Sequence, residues 1–249
     1  MARNIGNDEI NYSKEKSTLY SICITNYNSF DTIRGSMESI FNLVNDHFEI
    51  VVCDSCSNDG SREILQEYSR KEKIRLIVKK SSRGRGRQIA FENSSGKYII
   101  SGIDTDDRLK PAFKVFLSIY HRDYEGKMLS SGTIHIIPSK LVKEIGGWRD
   151  LKWGEDIDFH KRAKILEKQH ELEQTLAIVE RGKNKKSFIA KISEKFTASL
   201  CMYRIGKSVF EQVKMSDWYF RPITFVLAVL AFSVCKCRRI PKLRYQKCN

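Results

Sequence analysis

Short apolar runs alternate with segments of helical pattern through the first two thirds of this 249-residue chain, and three of the runs end abruptly in small polar or acidic residues. That order of strand and helix signals specifies an α/β fold, a Rossmann-like, mostly parallel central sheet flanked by helices. Strands are expected at Leu19–Thr25, Phe48–Cys53, Ile74–Val78, Tyr98–Ile103 and Thr133–Ile137. Helices are expected at about Thr32–Leu43, with Asp31 as cap, at Ser61–Arg70, as a short piece at Gln88–Asn93, and after Pro111. Residues 1–18 are polar and charged, without the apolar stretch of a signal or anchor, and read as a loose arm. The boundaries are expected at 19–181 for the main domain and 182–249 for a basic, helical C-terminal extension.

In open parallel sheets ligands sit beyond the carboxyl ends of the strands, which directs attention to the residues after each run. The first loop carries Thr25, Asn26, Tyr27 and Asn28. The second runs from Asp54 through Ser57 and Asp59 to Gly60-Ser61, small polar residues that let the backbone approach a nucleotide; Asp59-Gly60-Ser61 reads equally as a turn and helix cap. The fourth strand leads into Asp104-Thr105-Asp106-Asp107, where three carboxylates repel one another unless a cation intervenes. Mg²⁺ or Mn²⁺ meets that need with one or two carboxylates, water and phosphate oxygens, and a solvated acidic turn is the alternative. Arg83 and Arg87, in Arg83-Gly84-Arg85-Gly86-Arg87, lack the third glycine of a dinucleotide fingerprint and read as pyrophosphate contacts or as a charged loop.

Further on, Trp148 and Trp153 flank the approach to Glu155-Asp156. A carboxylate at a helix start complements the helix dipole, and it also suits a general base beside an aromatic platform for a sugar ring.

Charge is unevenly placed. Between Arg181 and Asn249, 16 Lys and Arg face 3 Asp and Glu, so most of the net +14 lies there. Nucleic acid and anionic membrane both reward such clustering. Trp218-Tyr219-Phe220, the apolar run Ile223–Cys235 and Lys236 to Arg239 favour a lipid interface over nucleic acid, or else a helix packed on the core. At 13 residues that run falls short of the roughly 20 needed to span a bilayer. The seven cysteines are expected to be reduced thiols in a cytoplasmic setting, and the Cys235, Cys237 spacing does not suit zinc.

Taken in order, Ser21–Asn28, Asp54–Ser61, Asp104-Thr105-Asp106 and Glu155-Asp156 resemble the motifs of the family 2 glycosyltransferases, inverting enzymes of the nucleotide-diphospho-sugar transferase fold (GT-A type). The resemblance runs from about Leu19 to Ala163. It departs at Thr25, where proline is usual, at Ser55, where many members have a second aspartate, and in a short Asp107–Glu155 interval that implies a reduced acceptor region. It implies a nucleoside-diphosphate sugar bound by Thr25, Tyr27, Asn28, Asp54, Ser57, Asp59, Arg83, Arg87, Asp104 and Thr105. Asp54 would meet the base or ribose, Asp104 the ribose or metal, and Asp106 the metal. Asp156 would be the base, Glu155 its orienting partner, and Trp148 and Trp153 would face the acceptor. The implied partners are a glycan or lipid-linked acceptor and an anionic membrane face. A nucleotidyltransferase would carry a glycine-rich, lysine-containing first loop, which is not visible after Thr25; a non-catalytic glycan- or nucleic-acid-binding protein is disfavoured by the intact acids.

Overall fold

The computed structural model describes residues 18–173, 176–179, 188–215 and 221–245. The expected N-terminal arm, the boundary near Gly182, the aromatic cluster at Trp218 and the thiol of Cys248 lie outside the described residues. The chain begins with β1 (Tyr20–Asn26), α1 (Phe30–Phe41), β2 (Phe48–Asp54), α2 (Ser61–Arg70), β3 (Arg75–Val78), α3 (Arg83–Glu92) and β4 (Tyr98–Ser101). Then follow β5 (Asp107–Leu109), α4 (Ala112–Ile119) with a π-helical turn at Tyr120–Tyr124, β6 (Met128–Ser131), β7 (Ile134–Pro138) and α5 (Ser139–Ile145). The remainder is α6 (Glu155–Ile165), β8 (Gln169–Leu172), β9 (Ala177–Val179), α7 (Phe188–Arg204), α8 (Val209–Lys214) and α9 (Arg221–Cys237).

The main sheet has the order β3-β2-β1-β4-β7-β6-β8. β1 pairs in parallel with both β2 and β4, in registers such as Ile22↔Ile50 and Ile22↔Ile100. Its strands are apolar on both faces because both faces are covered. Ile22, Ile24, Ile50, Val52 and Ile100 feed one core, while Cys23, Val51, Cys53 and Ile99 feed the other. From β1 the chain steps outward to β2 and β3, then returns to place β4 on the other side of β1. That reversal opens a crevice at the carboxyl ends of β1 and β4, where ligands of open α/β sheets bind. Beyond β4, β7 runs antiparallel, and β5 leaves the sheet to pair with β9.

Several sequence expectations shift. α3 starts at Arg83 rather than Gln88, with the Ser82 hydroxyl accepting from Arg85 N at 3.1 Å as its cap. Two glycines obscured the helix, since glycine is a poor helix former. They are there for close approach: Gly84 N donates to Leu151 O at 2.9 Å, and a Cβ on Gly84 would lie 2.1 Å from Arg149 O. At α1 the capping position is Ser29, with Asp31 inside the first turn. Asp107 opens β5, a strand that the sequence did not reveal. The short strands β6, β8 and β9 carried no apolar alternation to reveal them.

The C-terminal helices pack on the rest. A Cβ on Gly154, just before α6, would meet Ile205 at 3.2 Å and Met202 at 3.4 Å, and Lys161 Nζ donates to Ile205 O at 3.0 Å. Among the described residues no helix is long and apolar enough to cross a membrane. The six described cysteines are free thiols.

Candidate active site

A cleft of about 1000 Å³ opens at the carboxyl ends of β1, β2 and β4, lined by residues 25–32, Cys53, Ser55, Ser81, Arg83, Asp104 to Asp106, Asp150 and Trp153. Its floor is a polar network between the first two loops. Asn26 Nδ2 reaches Asp54 Oδ1 (2.7 Å), Ser57 Oγ (3.1 Å) and Ser61 Oγ (3.2 Å). Ser57 donates its N–H (2.9 Å) and hydroxyl (2.6 Å) to the same Asp54 carboxylate.

Asp54 and Ser57 are therefore fully buried. Both, expected at the donor, lie beneath the loop and hold its shape, while Cys53 and Ser55 line the cleft wall. Asp59 likewise fastens the loops, accepting from Phe30 N at 2.9 Å and Ser61 N at 3.0 Å. Partial burial works against its charge, yet those bonds and one from the Ser61 hydroxyl hold the Asp59 carboxyl below its ordinary range. Thr25, Tyr27 and Asn28 do line the cleft, and Tyr27 presents its ring to solvent at 67% exposure.

The acidic turn after β4 depends on Gly102, whose φ is +84° and where a Cβ would lie 1.7 Å from Thr133 O. No other residue fits there. Asp104 and Asp106 then face the cleft, whereas Asp107 turns inward and its Oδ2 accepts from Asp104 N at 2.8 Å. Burial pushes the Asp107 carboxyl up to about 6. Thr105, 8% exposed, shows the cleft only an edge.

Arg87 joins this turn to the second acidic pair. Its side chain is 3% exposed, and its guanidinium lies 3.4 Å from Asp104 Oδ1, 3.3 Å from Glu155 Oε1 and 3.3 Å from Asp156 Oδ2. Burial disfavours its charge, but the three carboxylates more than compensate and raise its pKa. Arg87, expected at the pyrophosphate or in a charged loop, is the shared counter-ion of these three carboxylates. Its neighbour Arg83 remains on the cleft wall, with its guanidinium 5.4 Å from the Trp153 ring centroid.

Glu155 and Asp156 differ although adjacent. Glu155 is 2% exposed, and burial together with the negative charge of Asp156 pushes its carboxyl up to about 7, against the pull of Arg87 and Arg83. Asp156 is 30% exposed, and its Oδ1 makes no hydrogen bond among the described residues. Glu155 Oε1 is likewise buried without a hydrogen-bond partner among the described residues, so the exposure of the side chain is what separates the two.

The tryptophans also separate. Trp148, expected against an acceptor, is buried in the core, stacked on Phe159 at 4.5 Å and edge-on to Phe91 at 6.2 Å. Trp153 lines the cleft. Glu194 of α7 lines it too, a residue that no sequence motif marked.

Similarity to known proteins follows the same lines. The family described as "Glycosyl transferase family 2" matches residues 21–188. A putative teichuronic acid biosynthesis glycosyltransferase, TuaG of Bacillus subtilis, is 33% identical over 95 residues, 37% of this chain and 37% of its own length. An uncharacterized glycosyltransferase of Methanocaldococcus jannaschii, MJ1057, is 25% identical over 218 residues, 71% of this chain and 75% of its own. The match thus spans 37% of the length of TuaG and 27% of that of EpsH of Bacillus subtilis. Among solved structures, S. aureus TarS in complex with UDP-GlcNAc superposes with a TM-score of 0.58 at 16% identity, over 86% of this chain and 73% of that one. The mannosyltransferase PcManGT from Pyrobaculum calidifontis, with GDP-Man and Mn²⁺, gives 0.59 at 12% identity, over 88% and 75%. These likenesses support the GT-A fold, and the family match, covering most of the chain and all four acidic and polar segments of the cleft, establishes that the chain belongs to glycosyl transferase family 2.

Proposed function

We propose that this chain transfers a sugar from a nucleoside-diphosphate sugar to a hydroxyl of a glycan or lipid-linked acceptor, with inversion, at a membrane face. One observation carries the reading: a single buried guanidinium, that of Arg87, draws Asp104 from the cleft floor and Asp156 from α6 into one site. Asp104 and Asp106 suit a hard divalent cation, because both face the cleft while Asp107 is turned away. Two carboxylates suffice for Mg²⁺ or Mn²⁺, and among the described residues no group of three or more candidate ligands exists. When bound, the ion would supply positive charge to the departing diphosphate. Asp156 accepts the proton of the attacking hydroxyl, Glu155 and Arg87 hold that carboxylate in place, and Tyr27 offers a ring for a base to stack on. Thr25, Asn28 and Ser55 border the same space.

The test is a thermal-shift screen of UDP, GDP and their sugar derivatives with and without Mn²⁺. Ligand at about 100 times its Kd adds about 2.7 kcal/mol to native-state stability. At least one nucleotide should raise the melting temperature, and more so with Mn²⁺; no shift with any would sink the proposal.

The acceptor side of the reading rests on relatives and on α9. One relative, WfgD of Escherichia coli, is described as acting on α-D-GlcNAc-diphosphoundecaprenol, and another, TarS, on poly(ribitol-phosphate). In α9, Thr224, Leu227, Ala228, Ala231 and Cys235 are buried, while Phe225, Val226, Val229 and Leu230 are exposed. Arg221, Lys236, Arg238 and Arg239 flank this apolar stripe. That is the layout of a helix lying in an anionic lipid interface. Replacing Val226 and Leu230 by Asp removes about 2 kcal/mol of apolar burial per side chain and adds repulsion from anionic lipid. Co-flotation with phosphatidylglycerol vesicles should fall at least tenfold, roughly, by the same arithmetic. Undiminished flotation would refute the contact.

A further inference from the structure

The segment that follows α9 returns to the helix that carries Glu155 and Asp156. Leu243 N donates to Arg204 O at 2.7 Å, and Arg149 Nη2 donates to Arg244 O at 3.0 Å. Tyr245 then donates its hydroxyl to Asp158 Oδ1 at 2.8 Å. Lys161 Nζ lies 4.1 Å from the Tyr245 ring centroid and the Arg149 guanidinium 5.3 Å from it, so the ring is gripped by two cations.

Asp158 is fully buried, two residues beyond Asp156. Its Oδ1 also accepts from Arg149 Nη1 at 3.1 Å, and its Oδ2 accepts from Arg162 at 3.0 and 2.7 Å. Arg162 in turn donates to Ile145 O at 2.6 Å, at the end of α5. One carboxylate thus ties together the end of α5, the loop before α6, α6 itself and the returning tail. The tail's contribution is a phenol that remains protonated. Burial, reinforced by the Asp158 carboxylate, raises the Tyr245 hydroxyl well above its ordinary pKa.

α6 needs such fastening. It starts on left-handed Gly154 without a side-chain cap, and Glu155 and Asp156 sit in that first turn. Uncapped first turns leave backbone N–H groups unpaired and open at low free-energy cost.

We propose that Tyr245 is a positioning residue: by docking on Asp158, the C-terminal tail locks the first turn of α6 and holds Asp156 in line for proton abstraction. The positioning role rests on Asp156 being the base, whereas the fastening of α6 does not. Of the clasp, Leu243, Arg244 and Tyr245 lie beyond residues 21–188 that the family model matches, whereas Arg149, Asp158, Lys161 and Arg162 lie within them.

The experiment uses the full chain with Tyr245→Ala and Tyr245→Phe, reading nucleoside-diphosphate release from the sugar nucleotide selected by thermal shift, together with deuterium uptake. A small misplacement of a reacting group costs rate steeply, so Tyr245→Ala should lower kcat about tenfold with KM for the sugar nucleotide unchanged. Uptake should rise in peptides covering 155–165 and stay constant in α1 to α3. Tyr245→Phe, which keeps the ring between Lys161 and Arg149, should fall between Ala and the native chain. Unchanged α6 uptake in Tyr245→Ala overturns the clasp. A uniform rise in uptake with a lowered melting temperature also overturns it, as a merely structural contact. Faster α6 exchange with native kcat overturns the positioning role if Asp156→Asn is inactive; if Asp156→Asn is equally active, it is the base assignment that falls, and the clasp stands.

Discussion

Asp156→Asn is expected to lower kcat for sugar transfer by roughly 10²- to 10⁴-fold, the usual contribution of a positioned general base. The amide keeps the shape of the side chain and its place beside Arg87, 3.3 Å away in the native protein, but has no basic oxygen to take the hydroxyl proton. Nucleotide affinity, measured by thermal shift, should stay near native, because Asp156 lies on α6 and is not among the residues that line the cleft. A variant that transfers sugar at the native rate would show that the proton leaves by another route. Glu155→Gln is a less direct probe: the buried Glu155 carboxyl already titrates near 7, and its replacement disturbs Arg87 as well.

Asp106→Ala is the second large effect. If Asp106 holds the cation that stabilises the leaving diphosphate, its removal should cost about 3–4 kcal/mol of transition-state stabilisation, a loss of roughly 10²- to 10³-fold in rate. The residual rate should no longer respond to Mn²⁺, which a titration of nucleoside-diphosphate release against metal concentration reads directly. Folding should be little affected, since Asp106 is only half-buried at the cleft while Asp107 carries the inward hydrogen bond of this turn. An undiminished metal response would remove Asp106 from the proposed ligand set.

How much of this was legible in the sequence differs between elements for physical reasons. β1, β2 and β4 lie inside the sheet with both faces buried, so each is a continuous apolar run that periodicity picks out. β8, at the sheet edge with Gln169, His170 and Glu171, offers no such run. α3 hid behind glycines whose purpose is a tertiary fact: Gly84 packs on residues 149–151 and Gly86 on Thr25 and Ser81. The cleft residues follow the same division. Sequence places a residue after a strand but not the direction of its side chain, which is why Asp54 was expected at the ligand and is found beneath the loop. Trp148 stands close to the acidic pair in sequence, yet its ring stacks on Phe159 from the far side of α6's first turn. Arg87 meets Asp104 and Asp156 across long stretches of chain, and no local pattern announces such a partnership.

Arg87 carries a consequence for what substitution the site tolerates. Its planar group reaches three carboxylates from two nitrogens, Asp104 and Asp156 from Nη2 and Glu155 from Nε. A lysine preserves the formal charge but concentrates it at one tetrahedral nitrogen on a flexible stem. Placed where Nη2 lies, it would keep Asp104 and Asp156 but lose the Nε contact to the buried Glu155. The buried Glu155 carboxylate is thus the group that such an exchange would strand, with Arg83, 3.9 Å away, left as its cation.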